Sequence, residues 1–125
     1  MRLLLDTHIF YWSFYDPGRL PKKAVSTIMR ADEVFVSSAS IWEMAIKVRL
    51  GKMKGDPHDL AEHIEDARFQ ELPVWSRHAA LVAILPAHHA DPFDRLLIAQ
   101  AMSEPLHLLT VDKQLRPYGD LILCV

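Results

Sequence analysis

Four acidic residues of this sequence occur where an α/β protein gathers its chemistry: Asp6, Glu43, Asp94 and Asp112. The first ends an apolar run of strand length, and the last follows another such run. The other two lie in segments with helical spacing. Because the carboxyl ends of the strands in an open α/β sheet meet at one rim, we expect the four carboxylates to meet there.

A cluster of carboxylates is costly on its own and therefore predicts a cation. Two carboxylates about 5 Å apart repel by roughly 3 kcal/mol at an effective dielectric constant of about 20. A hard divalent ion such as Mg²⁺ or Mn²⁺ takes oxygen ligands and keeps several waters, which suits a few carboxylates facing a phosphate. Such an ion polarises a phosphoryl oxygen and lowers the pKa of a bound water. The cluster therefore predicts hydrolysis of a phosphodiester bond.

Each acid also has a simpler interpretation. Asp94 and Asp112 are suited to capping a helix N-terminus, where a carboxylate accepts hydrogen bonds from free backbone N–H groups. Glu43 precedes Lys47 by four residues, a spacing that allows an ion pair on a helix surface. Asp6 is harder to explain in this way, because acids are seldom buried unless they are paired. The argument for a site depends on the four acids together.

The elements that must position these acids alternate along the chain. Short apolar runs predict strands, and longer segments with helical spacing and recognisable start and stop residues predict helices between them. Pro73 lies within the third run and limits it to an edge strand. The predicted strands are 3–5, 34–36, 72–74, 106–109 and 121–125, and the predicted helices are 10–15, 21–29, 40–50, 57–69, 76–85 and 92–102.

This alternation predicts an α/β fold in three layers, with a central, mostly parallel sheet of four or five strands flanked by helices. The 125 residues are about one domain's worth of chain. None of the loops rich in glycine and proline is long enough to be a linker. We therefore expect residues 1–125 to form a single domain.

Composition narrows the class of protein further. Apolar residues make up 50% of the chain and charged residues 24%, as in an ordinary globular protein. The net charge of −2 excludes a basic field over the whole protein, so a nucleic-acid partner would need a local basic patch. Cys124 is the only cysteine, so no internal disulfide forms, and no run is long enough for a membrane span. We expect a cytoplasmic protein.

The acids lie in four sequence blocks, which are LLDTH at 4–8, SASIWE at 38–43, DPFDRLLIAQA at 91–101 and LTVD at 109–112. These blocks resemble the motifs of PIN domains, and the likeness is greatest to the VapC-type toxins of prokaryotic toxin–antitoxin pairs. They occur in the order of the family and span nearly the whole chain. The resemblance implies a PIN-like three-layer fold and an endoribonuclease that depends on Mg²⁺ or Mn²⁺.

The resemblance also implies roles for individual residues and a set of partners. It assigns Asp6, Glu43 and Asp94 to the metal-binding acids of the family and Asp112 to its less constant fourth. Thr7 and Thr110 match positions whose hydroxyls often support the site. Asp91 precedes a proline, and we expect it to be a helix cap or an outer acid rather than a ligand. The implied partners are an RNA substrate, a cognate antitoxin and a second copy of the chain, in a type II toxin–antitoxin pair.

Three further features are open to more than one interpretation. The basic residues Lys47, Arg49, Lys52 and Lys54 are candidate RNA contacts, and a solvated helix end explains them equally well. Five aromatic residues within 10–15 predict a helix that is apolar all round, with a surface for a dimer partner or an antitoxin. The pair His88 and His89 is expected to lie in a surface loop rather than to bind zinc. His8 is either a substrate contact or a structural residue.

The same residues fit other classes of protein less well. A phosphatase of the haloacid-dehalogenase type requires a second Asp two residues after the first, where this chain has His8. A phosphoacceptor receiver domain requires an Asp after the third strand, where this chain has Val74, Trp75 and Ser76. A non-catalytic PIN-like interaction module accounts for the aromatic helix but not for four acids at the strand ends.

Overall fold

The computed structural model describes residues 1–125, which form five strands and six α-helices. The strands are β1 (Arg2–Leu5), β2 (Glu33–Ser37), β3 (Gln70–Leu72), β4 (His107–Thr110) and β5 (Ile122–Cys124). The helices are α1 (Thr7–Tyr15), α2 (Lys22–Arg30), α3 (Ser38–Arg49), α4 (Pro57–Asp66), α5 (Ser76–Leu81) and α6 (Pro92–Ser103). Short 3₁₀ turns lie at Pro17–Arg19, Val82–Ile84 and Lys113–Tyr118.

The five strands form one parallel sheet in the order β3-β2-β1-β4-β5. The chain moves outward from β1 through β2 to β3 and then returns to the other side of β1 for β4 and β5. The strand order therefore reverses at β1, and a crevice at the carboxyl end of this strand is the usual binding position in open α/β sheets. The expected α/β architecture with four or five strands is confirmed.

The core lies on both faces of the sheet, because successive side chains of a strand point to opposite sides. Leu4 of β1 packs with Leu97 and Ile98 of α6 in one buried cluster. Leu3 and Leu5 pack on the opposite face in a second cluster, which takes its helical residues from α1 to α4. All three leucines of β1 are completely buried. The fully apolar run is thus explained by a strand that is covered on both faces.

The third strand exists, but its predicted residues were wrong. It was expected at 72–74, but β3 runs from Gln70 to Leu72 and pairs with β2 only, at the edge of the sheet. It ends before Pro73, which has no N–H to donate to a neighbouring strand. Two predicted helices are also shorter than expected: the one at 57–69 ends at Asp66, and the one at 76–85 changes into the 3₁₀ turn after Leu81.

None of the helices has the length and hydrophobicity that crossing a lipid bilayer requires.

Candidate metal centre

Asp6 lies at the carboxyl end of β1, the strand at which the sheet order reverses. Its backbone N–H donates to Leu109 O of β4 at 2.9 Å, so the neighbouring strand fixes its position. The Thr110 hydroxyl donates to Asp6 Oδ2 at 2.5 Å, and the His8 backbone N–H donates to Oδ1 at 3.3 Å. The side chain is buried, and burial raises the pKa of this carboxyl despite the hydrogen bond from Thr110. Its charged form is therefore costly in the absence of a cation.

Glu43 projects from α3 toward the residue that follows Asp6. The Thr7 hydroxyl lies 2.8 Å from Glu43 Oε1 and 2.9 Å from Ser40 Oγ. Since a carboxylate only accepts, Thr7 donates its single proton to Glu43. Lys47 Nζ donates to the other oxygen, Oε2, at 2.7 Å. The ion pair that the sequence spacing allows is thus present, and it coexists with the buried hydroxyl contacts.

Asp94 lies in the first turn of α6 and faces the same rim. Asp91 is the N-cap of this helix, because its Oδ1 accepts from the backbone N–H groups of Phe93 and Asp94 at 2.9 and 3.0 Å. Of the two roles expected for Asp91, a helix cap or an outer acid, the structure shows the helix cap. Burial and the charge of Asp6 raise the pKa of Asp94 to about 7. Asp94 therefore lies close enough to Asp6 for the two carboxylates to repel each other.

Asp112 follows β4 and caps the 3₁₀ turn Lys113–Tyr118. Its Oδ1 accepts from the Gln114 backbone N–H at 2.9 Å, while its own backbone N–H donates to the Thr110 hydroxyl at 3.0 Å. Asp112 therefore makes the capping contact that the simpler interpretation predicts, and this contact uses only one of its carboxylate oxygens. The Thr110 hydroxyl also donates to Asp6, so Asp112 lies at the same edge of the sheet as Asp6.

The four acids that the sequence singled out meet at one edge of the sheet. Glu43 lies close enough to Asp6 to raise the pKa of the Asp6 carboxyl, and Asp6 acts in the same way on Asp94. Asp94 and Asp112 offer carboxylate oxygens within 4.8 Å of each other. Of the four carboxylates, only that of Glu43 contacts a lysine or arginine side chain. The arrangement is rich in oxygen ligands and poor in compensating charge.

His89 corrects an expectation. The pair His88 and His89 was expected to lie in a surface loop, and His88 is indeed exposed there. His89 is instead mostly buried, and its Nε2 lies 2.8 Å from Asp94 Oδ2. Nothing in the sequence spacing of a histidine in a loop rich in proline and alanine indicates this contact. The position depends on how the loop folds back over α6.

A basic cavity of about 470 Å³ lies beside the acids. Three of the four predicted cations line it, and Arg49 does not. Its lining residues are His8, Tyr11, Trp12, Arg19, Lys47, Lys52, Met53 and Lys54. Arg19 was not among the predicted cations, and its guanidinium lies 5.1 Å from the centroid of the Trp12 ring. Because Lys47 also binds Glu43, the cavity is continuous with the acidic rim.

The aromatic helix α1 forms the wall between the core and this cavity. Phe10 is completely buried, and Phe14 stacks on His63 of α4 at a centroid distance of 4.5 Å. The Tyr11 hydroxyl donates to Lys54 O, and the Tyr15 hydroxyl accepts from the Asp56 backbone N–H, both at 2.8 Å. The predicted all-apolar helix is therefore partly covered by its own chain, and its tyrosines fix the basic loop.

Comparison with known proteins agrees with this geometry. Residues 3–121 match the family model described as PIN domain. The chain is 32% identical over 122 residues to Ribonuclease VapC22 from Mycobacterium tuberculosis, covering 93% of this chain and 91% of that protein.

Solved structures share the fold at lower identity. VapBC2 from Rickettsia felis, bound to a DNA fragment from its promoter, has a TM-score of 0.72 and 17% identity, covering 98% of this chain and 97% of that one. A toxin–antitoxin complex from Klebsiella pneumoniae has a TM-score of 0.67 and 15% identity, covering 97% and 95%. The chain is a member of the PIN-domain family, of the VapC type.

Proposed function

We propose that this chain is a metal-dependent endoribonuclease and the toxin of a type II toxin–antitoxin pair, with residues 1–125 acting as one catalytic domain. The observation that carries the proposal is the meeting of four carboxylates at the carboxyl ends of β1 and β4, with a single lysine as compensation. The name of the mycobacterial relative, Ribonuclease VapC22, supports RNA as the substrate.

The donor set fits a hard divalent ion. Its ligand atoms are mostly carboxylate oxygens, the type that Mg²⁺ and Mn²⁺ prefer. The raised pKa values of Asp6 and Asp94 also fit, because burial, with added repulsion from a neighbouring acid, disfavours the charged form of both carboxyls, and a bound cation would offset this cost. On this proposal Asp6, Glu43 and Asp94 hold Mg²⁺, with Asp112 as the fourth acid. When bound, the ion would polarise the phosphate and lower the pKa of an attacking water.

Two threonines position the proposed ligands. The Thr110 hydroxyl donates to Asp6 Oδ2 and accepts from the backbone N–H of Asp112, so it aligns acids from two neighbouring strands. The Thr7 hydroxyl donates to Glu43 Oε1 and aligns the acid of α3. Partners of this kind fix the orientation of metal ligands and typically matter to metal affinity by about 10–100-fold.

The basic cavity supports binding of the RNA backbone next to the acids. Lys52 and Lys54 are exposed and form no ion pair, so their charges are free to neutralise phosphates. Trp12 offers a ring face on which a base could stack in competition with Arg19. Lys47 belongs to the same cavity, and Arg49 remains a candidate for a longer substrate. The volume of this open cavity is within the range of small-molecule binding sites, about 300–1,000 Å³.

The proposal includes a cognate antitoxin and a homodimer. The Klebsiella pneumoniae neighbour is described as a toxin–antitoxin complex, which supports an antitoxin partner for a chain of the same fold. Trp42 and Trp75 have 61% and 51% of their surface exposed, and such aromatic residues are enriched at interfaces. Light scattering of the purified chain, alone and co-expressed with the product of the adjacent reading frame, measures both associations. A monomer that binds no such product would contradict this part of the proposal.

The nuclease itself is tested by cleavage of a structured RNA with Mg²⁺ or Mn²⁺. We expect cleavage by the wild type, none in EDTA, and at least a hundredfold loss in Asp94→Asn, since several kcal/mol of charge stabilisation depend on the ion. The matched control is Asp91→Asn, three residues away, because Asn caps a helix as well as Asp does. Cleavage that survives Asp94→Asn or EDTA would contradict the proposal. A wild type that binds metal and partner but cleaves no RNA would favour the non-catalytic interaction module.

A further inference from the structure

A histidine lies among the acids on the α6 side of the rim. One nitrogen of His89 and one carboxylate oxygen each from Asp94 and Asp112 all lie within 4.8 Å of one another. The side chains of His89 and Asp94 are only 14% and 20% exposed. His89 lies in the loop before α6, Asp94 in the first turn of α6 and Asp112 in the turn after β4, so two separate segments of the chain converge on one small volume.

The spacing of the two nearest atoms is that of neighbouring ligands on one ion. His89 Nε2 and Asp94 Oδ2 are 2.8 Å apart. Two ligands at right angles on an octahedral ion, with bonds of about 2.1 Å, are separated by roughly 3 Å. A divalent ion could therefore replace the proton between these atoms with little movement of either side chain, and that proton would pass to solvent.

The loop that carries His89 is held firmly by its neighbour in α6. The Arg95 guanidinium donates to Pro86 O at 2.9 Å, to His89 O at 3.3 Å and to the Tyr118 hydroxyl at 3.1 Å. It also donates to the carbonyl oxygens of Val82 and Leu85, at 3.1 and 3.3 Å. Because Arg95 directly follows Asp94, the same turn of α6 presents the carboxylate and fixes the backbone of the histidine.

We propose that His89 is a nitrogen ligand of the metal centre, on the side of Asp94 and Asp112, and that it makes the centre prefer Mn²⁺ to Mg²⁺. The proposal depends on the proposed function only in that the acids bind a divalent ion. Mg²⁺ is bound through oxygen ligands, whereas imidazole nitrogen is a ligand of first-row transition-metal ions, so replacing one oxygen ligand by nitrogen disfavours Mg²⁺ relative to Mn²⁺.

A plain hydrogen bond between His89 and Asp94 is the competing account, and it makes a different spectroscopic prediction. Pulsed electron paramagnetic resonance detects ¹⁴N coupling to Mn²⁺ only when a nitrogen is bound to the ion. We expect this coupling in the wild type with one equivalent of Mn²⁺, and its loss in His89→Ala. No ¹⁴N coupling in the Mn²⁺-bound wild type would overturn the proposal.

Two matched variants identify the source of the nitrogen. His88→Ala removes the adjacent, exposed histidine, and we expect the coupling to persist. His8→Ala removes the histidine on the opposite side of the rim, whose Nδ1 lies 4.0 Å from Asp6 Oδ1, and the coupling should again persist. Coupling that disappears in His8→Ala and survives in His89→Ala would overturn the proposal, because the nitrogen ligand would then be His8.

Binding titrations measure the preference itself. We expect His89→Ala to lose at least about tenfold in Mn²⁺ affinity, since even outer partners of ligands typically contribute 10–100-fold, and to lose less in Mg²⁺ affinity. An equal loss for both ions would contradict the selectivity. Failure of the wild type to bind either ion would contradict the proposed function, whereas binding and RNA cleavage without ¹⁴N coupling would contradict this inference alone.

Discussion

Lys47 Nζ lies 2.7 Å from Glu43 Oε2, and this ion pair joins the basic cavity to the acidic rim. The lysine is the single Lys or Arg side chain in contact with the four acids. It therefore takes part in both charge systems of the protein, compensating a buried carboxylate when no metal is bound and facing the proposed RNA site. Its removal should affect the metal-free protein most.

Lys47→Met tests this double role by thermal unfolding with and without metal. In EDTA the variant leaves Glu43 buried without its cation, and we expect a loss of about 1 kcal/mol, because the lysine is partly screened by solvent. For a domain of this size that corresponds to a fall in Tm of roughly 3–6 °C. Saturating Mg²⁺ should restore most of the loss. The control is Lys52→Met, an exposed lysine of the same cavity without an ion pair. Equal losses with and without metal would contradict the role.

Asp6→Asn should stabilise the metal-free protein. Burial and the nearby Glu43 raise the pKa of Asp6, so removal of its charge relieves desolvation and repulsion. The expected rise in Tm in EDTA is a few degrees, or about 1 kcal/mol. The variant should also lose the increase in Tm that Mg²⁺ produces in the wild type. Asp120→Asn, at an exposed position, should leave both values unchanged. A clear fall in Tm would show that Asp6 is a structural hydrogen-bonding residue instead.

Gly55→Ala should destabilise the protein through the loop that carries the basic residues. Gly55 has φ +127°, and a Cβ at this position would lie 2.6 Å from the Tyr15 ring. We expect a loss of about 1–3 kcal/mol in the free energy of unfolding from the backbone strain. Weaker RNA binding should accompany it, because the loop presents Lys52 and Lys54. Gly18→Ala is the control, since it has ordinary backbone geometry and open space around it. Similar stabilities for the two variants in urea unfolding would refute the argument.

Glu104 and His78 give the stability a pH dependence away from the acidic rim. His78 is completely buried, and its Nε2 lies 2.6 Å from Glu104 Oε2. The hydrogen bonds of His78 and Arg77 lower the pKa of Glu104. Stability from the ionised carboxylate is therefore fully present above the unfolded pKa of about 4.3 and is lost as the pH falls through the lowered folded pKa.

Glu104→Gln, measured by urea unfolding across pH, separates the charge of this pair from its hydrogen bond. The amide oxygen can still accept from His78, so the variant removes mainly the charge. We expect a loss of about 1 kcal/mol at pH 7 that begins to shrink as the pH falls below about 4.3 and disappears only below the lowered folded pKa. The exposed Glu62→Gln should be neutral throughout. A loss of stability that stays constant from pH 7 to pH 3 would mean that the contact between His78 of α5 and Glu104 after α6 stabilises the fold by packing and not by charge.

The sequence predicted the parts of the site that regular structure fixes. Asp6 and Asp112 follow neighbouring parallel strands, and the carboxyl ends of parallel strands lie at the same edge of the sheet. Glu43 and Asp94 lie in helices that the sequence predicts at 40–50 and 92–102, and these helices begin at Ser38 and Pro92. In these cases local rules for strands and helices determine the position, so spacing along the chain was sufficient.

The residues that the sequence did not predict depend on irregular backbone. His89 reaches Asp94 because Arg95 binds the carbonyl oxygens of a loop, a contact with no periodic signature. Arg19 joins the basic cavity because a 3₁₀ turn after α1 returns it over the Trp12 ring. The strand β3 was predicted at the wrong residues because Gln70 and Glu71 are polar and exposed and do not form an apolar run. The position of this strand is determined by its pairing with β2 instead.

On the proposal above, the carboxylates of Asp6 after β1, of Glu43 in α3 and of Asp94 in α6 share one divalent ion. Anomalous diffraction from crystals grown with Mn²⁺ tests it directly. The predicted result is an anomalous peak at direct ligand distance from carboxylate oxygens of both Asp6 and Asp94, which is absent in Asp94→Asn crystals. An Mn²⁺-saturated crystal with no peak at this rim, or with the peak confined to exposed surface acids, would contradict the account.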